Sequence, residues 1–490
     1  MALGLAVLFW YLLVYVAHAT NLAAYPYDLD QGEAYDVNSG WLIAQGRPIY
    51  TDNSTYTYYS SNYPPVYSLL LAPIVAQTGP TLASGRLLSV AATLLSALLM
   101  ACIVGAQTRS GLAGFATGLL YLGSTYVFHT TPLARVNGMA VLFAVGGLAC
   151  CLGRRWPSYA GVVVLFLLAL FTKQTTVDAV GAGLLALLLR DVAGRDRSWR
   201  SFRGRDFPAS IVVGLLIGVL GCALLLALNV ATGGAFWLNV VVGNVNPFDA
   251  WQAIVYFQNF LQIHLVVVGL AGWQVYRQLR ARQIGPFELY WVFSLLLAVS
   301  VGKWGAGESY FLAPIAASAV LAGQAVARLL AAGATSDARL VLLGGLLLVQ
   351  GGLYAHGPFN QFGPWFVDRG AQAAVLSRWP GPYEVQQAAD LVEILAKAEG
   401  PVLLEDPSYG LALGKEVVGN ATHLRNVYLA GVWSPDNLVA DLRERRYAWV
   451  VLNAELYPAP VLEAIGRYYY LYEVYEINGT RQQLFAPGEQ

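Results

Sequence analysis

The chain has 490 residues, of which 57% are hydrophobic and only 12% charged, whereas an ordinary soluble domain carries about 25% charged residues. A water-soluble fold with so few charges would need an implausibly large core, so the composition excludes a soluble globular protein and points to the bilayer as solvent. Lys+Arg and Asp+Glu balance at 29 each, and without a polybasic tract nothing suggests a nucleic-acid partner.

The first apolar run, 3–24, has no basic leading segment and no convincing cleavage site, so it predicts a retained span rather than a signal peptide. A span needs about 20 mostly apolar residues. Further runs lie at 81–106, 111–129, 132–152, 157–172, 174–190, 209–231, 252–273, 286–302, 308–330 and 338–356. They predict an all-α polytopic membrane bundle of about eleven transmembrane helices over residues 1–356. Runs 157–172 and 174–190 are short, as tilted or kinked helices would be.

Charge supports this alternation. With a cytoplasmic N-terminus, connections at Arg109, 154–155, 190–205, 277–282 and 328–339 hold about 14 basic residues. The opposite short connections hold about five: Arg47, Arg86, Arg135, Lys173 and Lys303. That pattern makes a multi-pass protein of the plasma (cytoplasmic) membrane, with the loop 25–80 and the C-terminal region outside the cytoplasm. The loop is too long for a plain connection. It contains Tyr63-Pro64-Pro65 and then an apolar stretch, 66–75, suited to a helix on or re-entering the membrane surface. A linker rich in Gly, Pro and aromatics, 357–382, leads to a soluble α/β domain, 383–490. Strands are expected at 401–405, 448–453 and 468–477, and helices at 385–397 and 437–446.

The four cysteines lie in or beside apolar runs and suggest neither a disulfide framework nor a thiolate metal site. The five histidines do not cluster. Asp28, Asp30, Glu33 and Asp36 crowd the mouth of the first span. On a helix, Asp30 and Glu33 share a face. A carboxylate shielded at a membrane interface has a raised pKa and suits general-base work; the bland alternative is a solvated acidic loop. Arg86, Arg135, Lys173 and Lys303 stand at the same membrane face, either as phosphate contacts or as snorkelling residues. Asn246 sits in an Asn-Pro turn that could also bind sugar. Glu308 and Tyr310 open the tenth run. Asp28-Leu29-Asp30 is a D-x-D pair that could bind a divalent cation, a spacing common by chance.

The blocks Asp30-Gln31-Gly32-Glu33, Gly46-Arg47-Pro48-Ile49-Tyr50 and Asn62-Tyr63-Pro64-Pro65-Val66-Tyr67 resemble GT-C-fold membrane glycosyltransferases. More narrowly, they are similar to prokaryotic relatives of dolichyl-phosphate-mannose protein mannosyltransferases. The likeness continues through Gly85-Arg86, Ala134-Arg135-Val136-Asn137, Phe171-Thr172-Lys173-Gln174, Asn244-Val245-Asn246-Pro247 and Tyr310-Phe311. The resemblance implies inverting transfer of a sugar from a polyprenyl phosphate to an extracytoplasmic glycan, lipid or protein acceptor. It makes Asp30 the base, Glu33 its acidic partner, and Arg86 and Lys173 donor-phosphate contacts; Arg135 and Lys303, by their place on the same face, are expected to join them. Tyr63, Asn137, Gln174, Asn246, Glu308 and Tyr310 become substrate contacts. Relatives often carry Asp at the position of Asn137, and its absence weakens a metal-dependent mechanism, so no cofactor is expected. The alternatives are a transporter or flippase of a lipid-linked glycan, and a binding protein whose tail captures a partner.

Overall fold

The computed structural model describes residues 1–193, 208–333, 337–355 and 378–488. Most of the expected linker, and the basic stretch near residue 200, lie outside the described residues. Sixteen α-helices precede the C-terminal domain among the described residues: α1 (Ala2–Ala24), α2 (Glu33–Ala44), α3 (Val66–Thr78), α4 (Leu82–Thr108), α5 (Gly111–Leu122), α6 (Thr125–Thr130), α7 (Asn137–Cys151), α8 (Trp156–Leu170), α9 (Val177–Ala193), α10 (Ala209–Ala231), α11 (Ala235–Val240), α12 (Ala250–Ile263), α13 (Leu265–Ala281), α14 (Pro286–Ala298), α15 (Leu312–Gly333) and α16 (Asp337–Tyr354).

Every apolar run of the sequence contains a helix, but length separates them. Among the described residues five segments are long and apolar enough to cross a bilayer: α1, α4, α10, Glu308–Ala331 and α16. The bent pair α12–α13 makes a sixth. The count of about eleven is therefore not met by length. α7 and α8 have 15 residues each, and at about 1.5 Å per residue they fall short of a core about 30 Å thick. Run 111–129 is two helices, α5 and α6. α10 is the most lipid-like of the spans, with Leu215, Val219, Leu226 and Val230 all exposed.

The 89° bend between α12 and α13 falls at His264. A break in a helix strands backbone groups that need new partners. Here the buried Gln350 of α16 supplies them. Its Oε1 accepts from Val266 N at 3.1 Å and Val267 N at 3.0 Å, and its Nε2 donates to Ile263 O at 2.8 Å. The His264 ring meets Ser124 Oγ at 2.7 Å through Nε2.

The C-terminal domain carries a four-stranded sheet of order β1 (Val402–Leu404), β2 (Trp449–Leu452), β4 (Thr480–Pro487), β3 (Tyr469–Ile477). β1 and β2 are parallel and the other pairs antiparallel. Helices Ala421–Leu429, Asp436–Arg443 and Ala459–Tyr468 supply apolar residues to its core. β3 and β4 join through Asn478-Gly479, both with positive φ, the residue pair a tight hairpin turn demands. The expected α/β domain is present, with β4 as an addition to the three expected strands.

This domain sits on the first long loop. Tyr35 Oη donates to Glu405 O at 3.2 Å, Gly419 N to Thr57 O at 2.8 Å, and Trp433 Nε1 to Asn53 O at 2.6 Å. Asn239 is the hub. Its Oδ1 accepts from Asn53 Nδ2 and His423 Nε2, both at 2.6 Å, while its Nδ2 donates to Thr51 O at 2.7 Å. Burial lowers the His423 pKa to about 4, so the ring is neutral and structural.

Candidate active site

The acidic loop enters α2 at Glu33. A carboxylate in the first turn of a helix is favoured by the helix dipole, yet Glu33 turns elsewhere. It forms a bidentate ion pair with Arg86, Nε to Oε1 and Nη2 to Oε2 at 2.7 Å each, with both side chains 0% exposed. The remaining Arg86 donors go to the carbonyls of Leu22 and Tyr25 at 2.6 Å and Tyr27 at 2.8 Å. All five guanidinium N–H groups are thereby used. Arg86 consequently has no donor left for a phosphate, which corrects the phosphate-contact expectation. Glu33 is likewise shut away from any substrate.

What Glu33 does hold is backbone. Oε1 also accepts from Ala134 N at 2.8 Å, and Oε2 from Leu29 N at 2.9 Å and, more weakly, Asp30 N at 3.5 Å. Burial alone would raise the Glu33 pKa, but the Arg86 charge overcomes it and the carboxyl stays below its usual range. One carboxylate thus fixes the segments that carry Asp30 and Arg135. Two glycines permit the close approach. A Cβ on Gly32 would sit 0.9 Å from Arg135 Nη1, and one on Gly85 would sit 2.6 Å from the Ala134 Cβ.

Arg135 is the centre of the site. Its Nη1 lies 3.5 Å from Asp30 Oδ2 and its Nε 3.4 Å from Asp36 Oδ2. Its Nη2 donates to Tyr63 Oη at 3.3 Å. The Asp30 side chain remains 36% exposed, the one acid of this group within reach of solvent. Its pKa is raised by partial burial, against the opposing pull of Arg135. Asp36 is buried, and its pKa is pushed up to about 7 by desolvation in spite of Arg135. Its Oδ2 has no hydrogen-bond partner among the described residues.

The loop after α8 brings in Lys173. Its backbone is tied to the Pro-Pro turn by Val66 N donating to Phe171 O at 3.0 Å. The Lys173 ammonium donates to Asn137 Oδ1 at 2.8 Å and lies 5.1 Å from the centre of the Tyr310 ring. Burial, then the Arg135 charge, lowers its pKa to about 7. A cavity of about 40 Å³ adjoins it, lined by Asn137, Lys173, Asp178, Tyr290, Ser294 and Tyr310.

Asp30, Arg135 and Tyr63, all expected from sequence, therefore meet in one cluster, and Asn137, Lys173 and Tyr310, also expected, form a second whose ammonium feels the Arg135 charge. Others stand apart. Glu308 is buried and accepts from His129 Nδ1 at 2.7 Å, so it is engaged within the protein. Gln174 Nε2 donates to Val240 O at 3.2 Å, while Asn246 Nδ2 donates to Trp304 O at 3.0 Å. Lys303 is half-buried, and its charge is felt by Lys173. The sequence marks Asp36 only as one of an acidic cluster. Its signal was position, three residues beyond Glu33 among small and apolar neighbours. Asp28 donates its backbone N–H to Ser408 Oγ at 3.0 Å and faces the buried Asp406 of the C-terminal domain. Among the described residues no three His, Cys, Asp or Glu side chains converge as a metal site would require.

No family model matches the chain, and no curated protein matches it in sequence. Solved structures share its fold. ArnT from Cupriavidus metallidurans, bound to undecaprenyl phosphate, superposes with a TM-score of 0.62 at 16% identity, over 98% of this chain and 99% of that one. The same protein in the apo state gives 0.59. The apo oligosaccharyltransferase of Archaeoglobus fulgidus gives 0.55 at 12% identity, over 98% of this chain and 74% of that one. The chain thus has the GT-C fold of these membrane proteins, as the resemblance implies.

Proposed function

We propose that this multi-pass membrane protein is an inverting glycosyltransferase that moves a sugar from a polyprenyl phosphate to an extracytoplasmic acceptor. The observation that carries the reading is the meeting of a solvent-reachable carboxylate, Asp30, with Arg135 and Tyr63, with the Lys173 ammonium within electrostatic reach of Arg135, on a fold whose ArnT example was solved with undecaprenyl phosphate.

In this reading Asp30 takes the proton from the acceptor hydroxyl as its oxygen attacks the anomeric carbon. The new glycosidic bond forms while the bond from that carbon to the phosphate oxygen breaks. The lipid phosphate leaves with the bonding electrons, already ionised, so no strong general acid is needed. General-base help of this kind is worth roughly 10²–10⁴ in rate. Lys173 is suited to the leaving phosphate because, among the described residues, its buried ammonium has an amide and an aromatic face for partners. An arriving anion raises its pKa and completes its protonation. Arg135 orients Asp30 and adds positive charge. Glu33 and Arg86 act as positioning residues, holding the backbone on which Asp30 and Arg135 stand. The mechanism calls for no metal.

The test is Asp30→Asn in purified, membrane-reconstituted protein. Transfer from a polyprenyl-phosphate sugar should vanish while the protein stays folded and still binds donor. Near-normal turnover would refute the assignment. A lipid-glycan transporter would instead translocate its substrate without breaking the sugar–phosphate bond.

A further inference from the structure

Arg425 lies on the helix Ala421–Leu429 of the C-terminal domain. Its guanidinium stacks on Trp304, 3.8 Å from the ring centre. Its Nη1 is buried without a hydrogen-bond acceptor among the described residues. Buried donors are nearly always satisfied, and an arginine cannot shed its charge. Such a group is held ready for an acceptor that the described residues do not supply.

A second cation stands beside it in the chain. Lys303 precedes Trp304, is half-buried, and has no acidic partner among the described residues. Desolvation lowers its pKa. The backbone beneath both is firmly built. Trp304 N donates to Pro247 O at 2.9 Å, Asp249 N to Gly302 O at 2.7 Å, and Gln252 Nε2 to Val301 O at 2.7 Å. Two residues before Arg425, His423 pins its helix to Asn239. Lys173 feels the Lys303 charge, so Lys303 lies within electrostatic reach of the cations of the active site.

We propose that Arg425 and Lys303, set about Trp304, form a second anion subsite that binds a lipid-linked phosphate. The C-terminal domain then contributes directly to substrate binding. A planar guanidinium fixed on an aromatic plate offers paired donors to phosphate oxygens, and a neighbouring ammonium matches the second negative charge. The proposal rests on the glycosyltransferase reading and extends it to the C-terminal domain.

The experiment measures binding of polyprenyl monophosphate and polyprenyl diphosphate to the full-length protein in nanodiscs, for wild type, Arg425→Gln, Arg425→Lys and Lys303→Gln. The two positions lie on different elements, so one folding failure leaves the other readable, and melting temperatures check both. Each Gln variant should bind about tenfold more weakly, the loss of one charge-assisted contact, with partial recovery in Arg425→Lys. Weakening confined to the diphosphate assigns the subsite to a second phosphate; weakening of both lipids assigns it to the single phosphate. Unchanged affinities in both Gln variants, with wild type binding normally, overturn the subsite and leave the transferase reading standing. Wild-type protein that binds neither lipid overturns both.

Discussion

Replacing Arg86 by methionine leaves the Glu33 carboxylate buried with only backbone N–H groups around it, and leaves the carbonyls of Leu22, Tyr25 and Tyr27 without their shared donor. Breaking a buried ion pair from one side costs about 3–5 kcal/mol. The carbonyls add to that wherever water does not reach them. Glu33→Gln should cost less, about 2–3 kcal/mol, because it retains one acceptor oxygen and strands a guanidinium that still has three carbonyls. Removing both charges together, Glu33→Met with Arg86→Met, should cost clearly less than the two single methionine changes added, since no lone charge is left inside. The assay is thermal unfolding of the detergent-solubilised protein across this double-mutant cycle, with sugar transfer measured in parallel. Arg86→Met should melt several degrees lower. The surviving folded fraction should transfer slowly, because Asp30 and Arg135 lose their common anchor. A melting temperature equal to wild type, or strictly additive single changes, would refute the latch.

Three further outcomes follow from the charges. Lys173 has its pKa lowered to about 7 without ligand, so donor affinity should fall about tenfold per pH unit above that value; Lys173→Arg should flatten the dependence, read by binding titrations from pH 6 to 9. Asp36→Asn removes the second acid on Arg135, which frees that cation for Asp30. The Asp30 pKa should drop, and the acidic limb of the kcat/KM profile should move to lower pH. Asp406 has its pKa raised from 3.8 to about 6. The folded state therefore binds the extra proton, and stability at this joint is greatest below pH 4 and lost as pH rises to about 6. The loss amounts to about 3 kcal/mol, and Asp406→Asn should flatten the slope in melting temperature over that window, leaving the part due to Asp28, Asp30 and Asp36.

The sequence carried the helical runs, the C-terminal α/β sheet and the residue blocks around Asp30, Tyr63 and Arg135, because composition and local patterning are local properties. It could not carry the helix breaks. The interruption at His264 depends on Gln350, which lies 87 residues from its partner Ile263. Arg86 reads as a phosphate contact because it sits at the end of an apolar run; only the fold shows three carbonyls, from the last turn of α1 and the loop after it, converging on it. β4 had an Asn-Gly turn before it, but Thr480, Arg481, Gln482 and Gln483 blur the alternation that marks a strand. Arg425 was beyond reach, since nothing nearby in the chain indicates that it stacks on a tryptophan of the helical region.

Asn239 joins three stretches of chain through one amide: the tip of the first long loop, its own short helix, and a histidine of the tail. Cutting away the tail would therefore do more than remove an appendage. It would unroof that loop, expose the underside of the segment leading to Tyr63, and leave Trp304 without the arginine on its face. The helical part and the C-terminal domain are in this sense a single machine, and neither is expected to serve as a stand-alone catalyst.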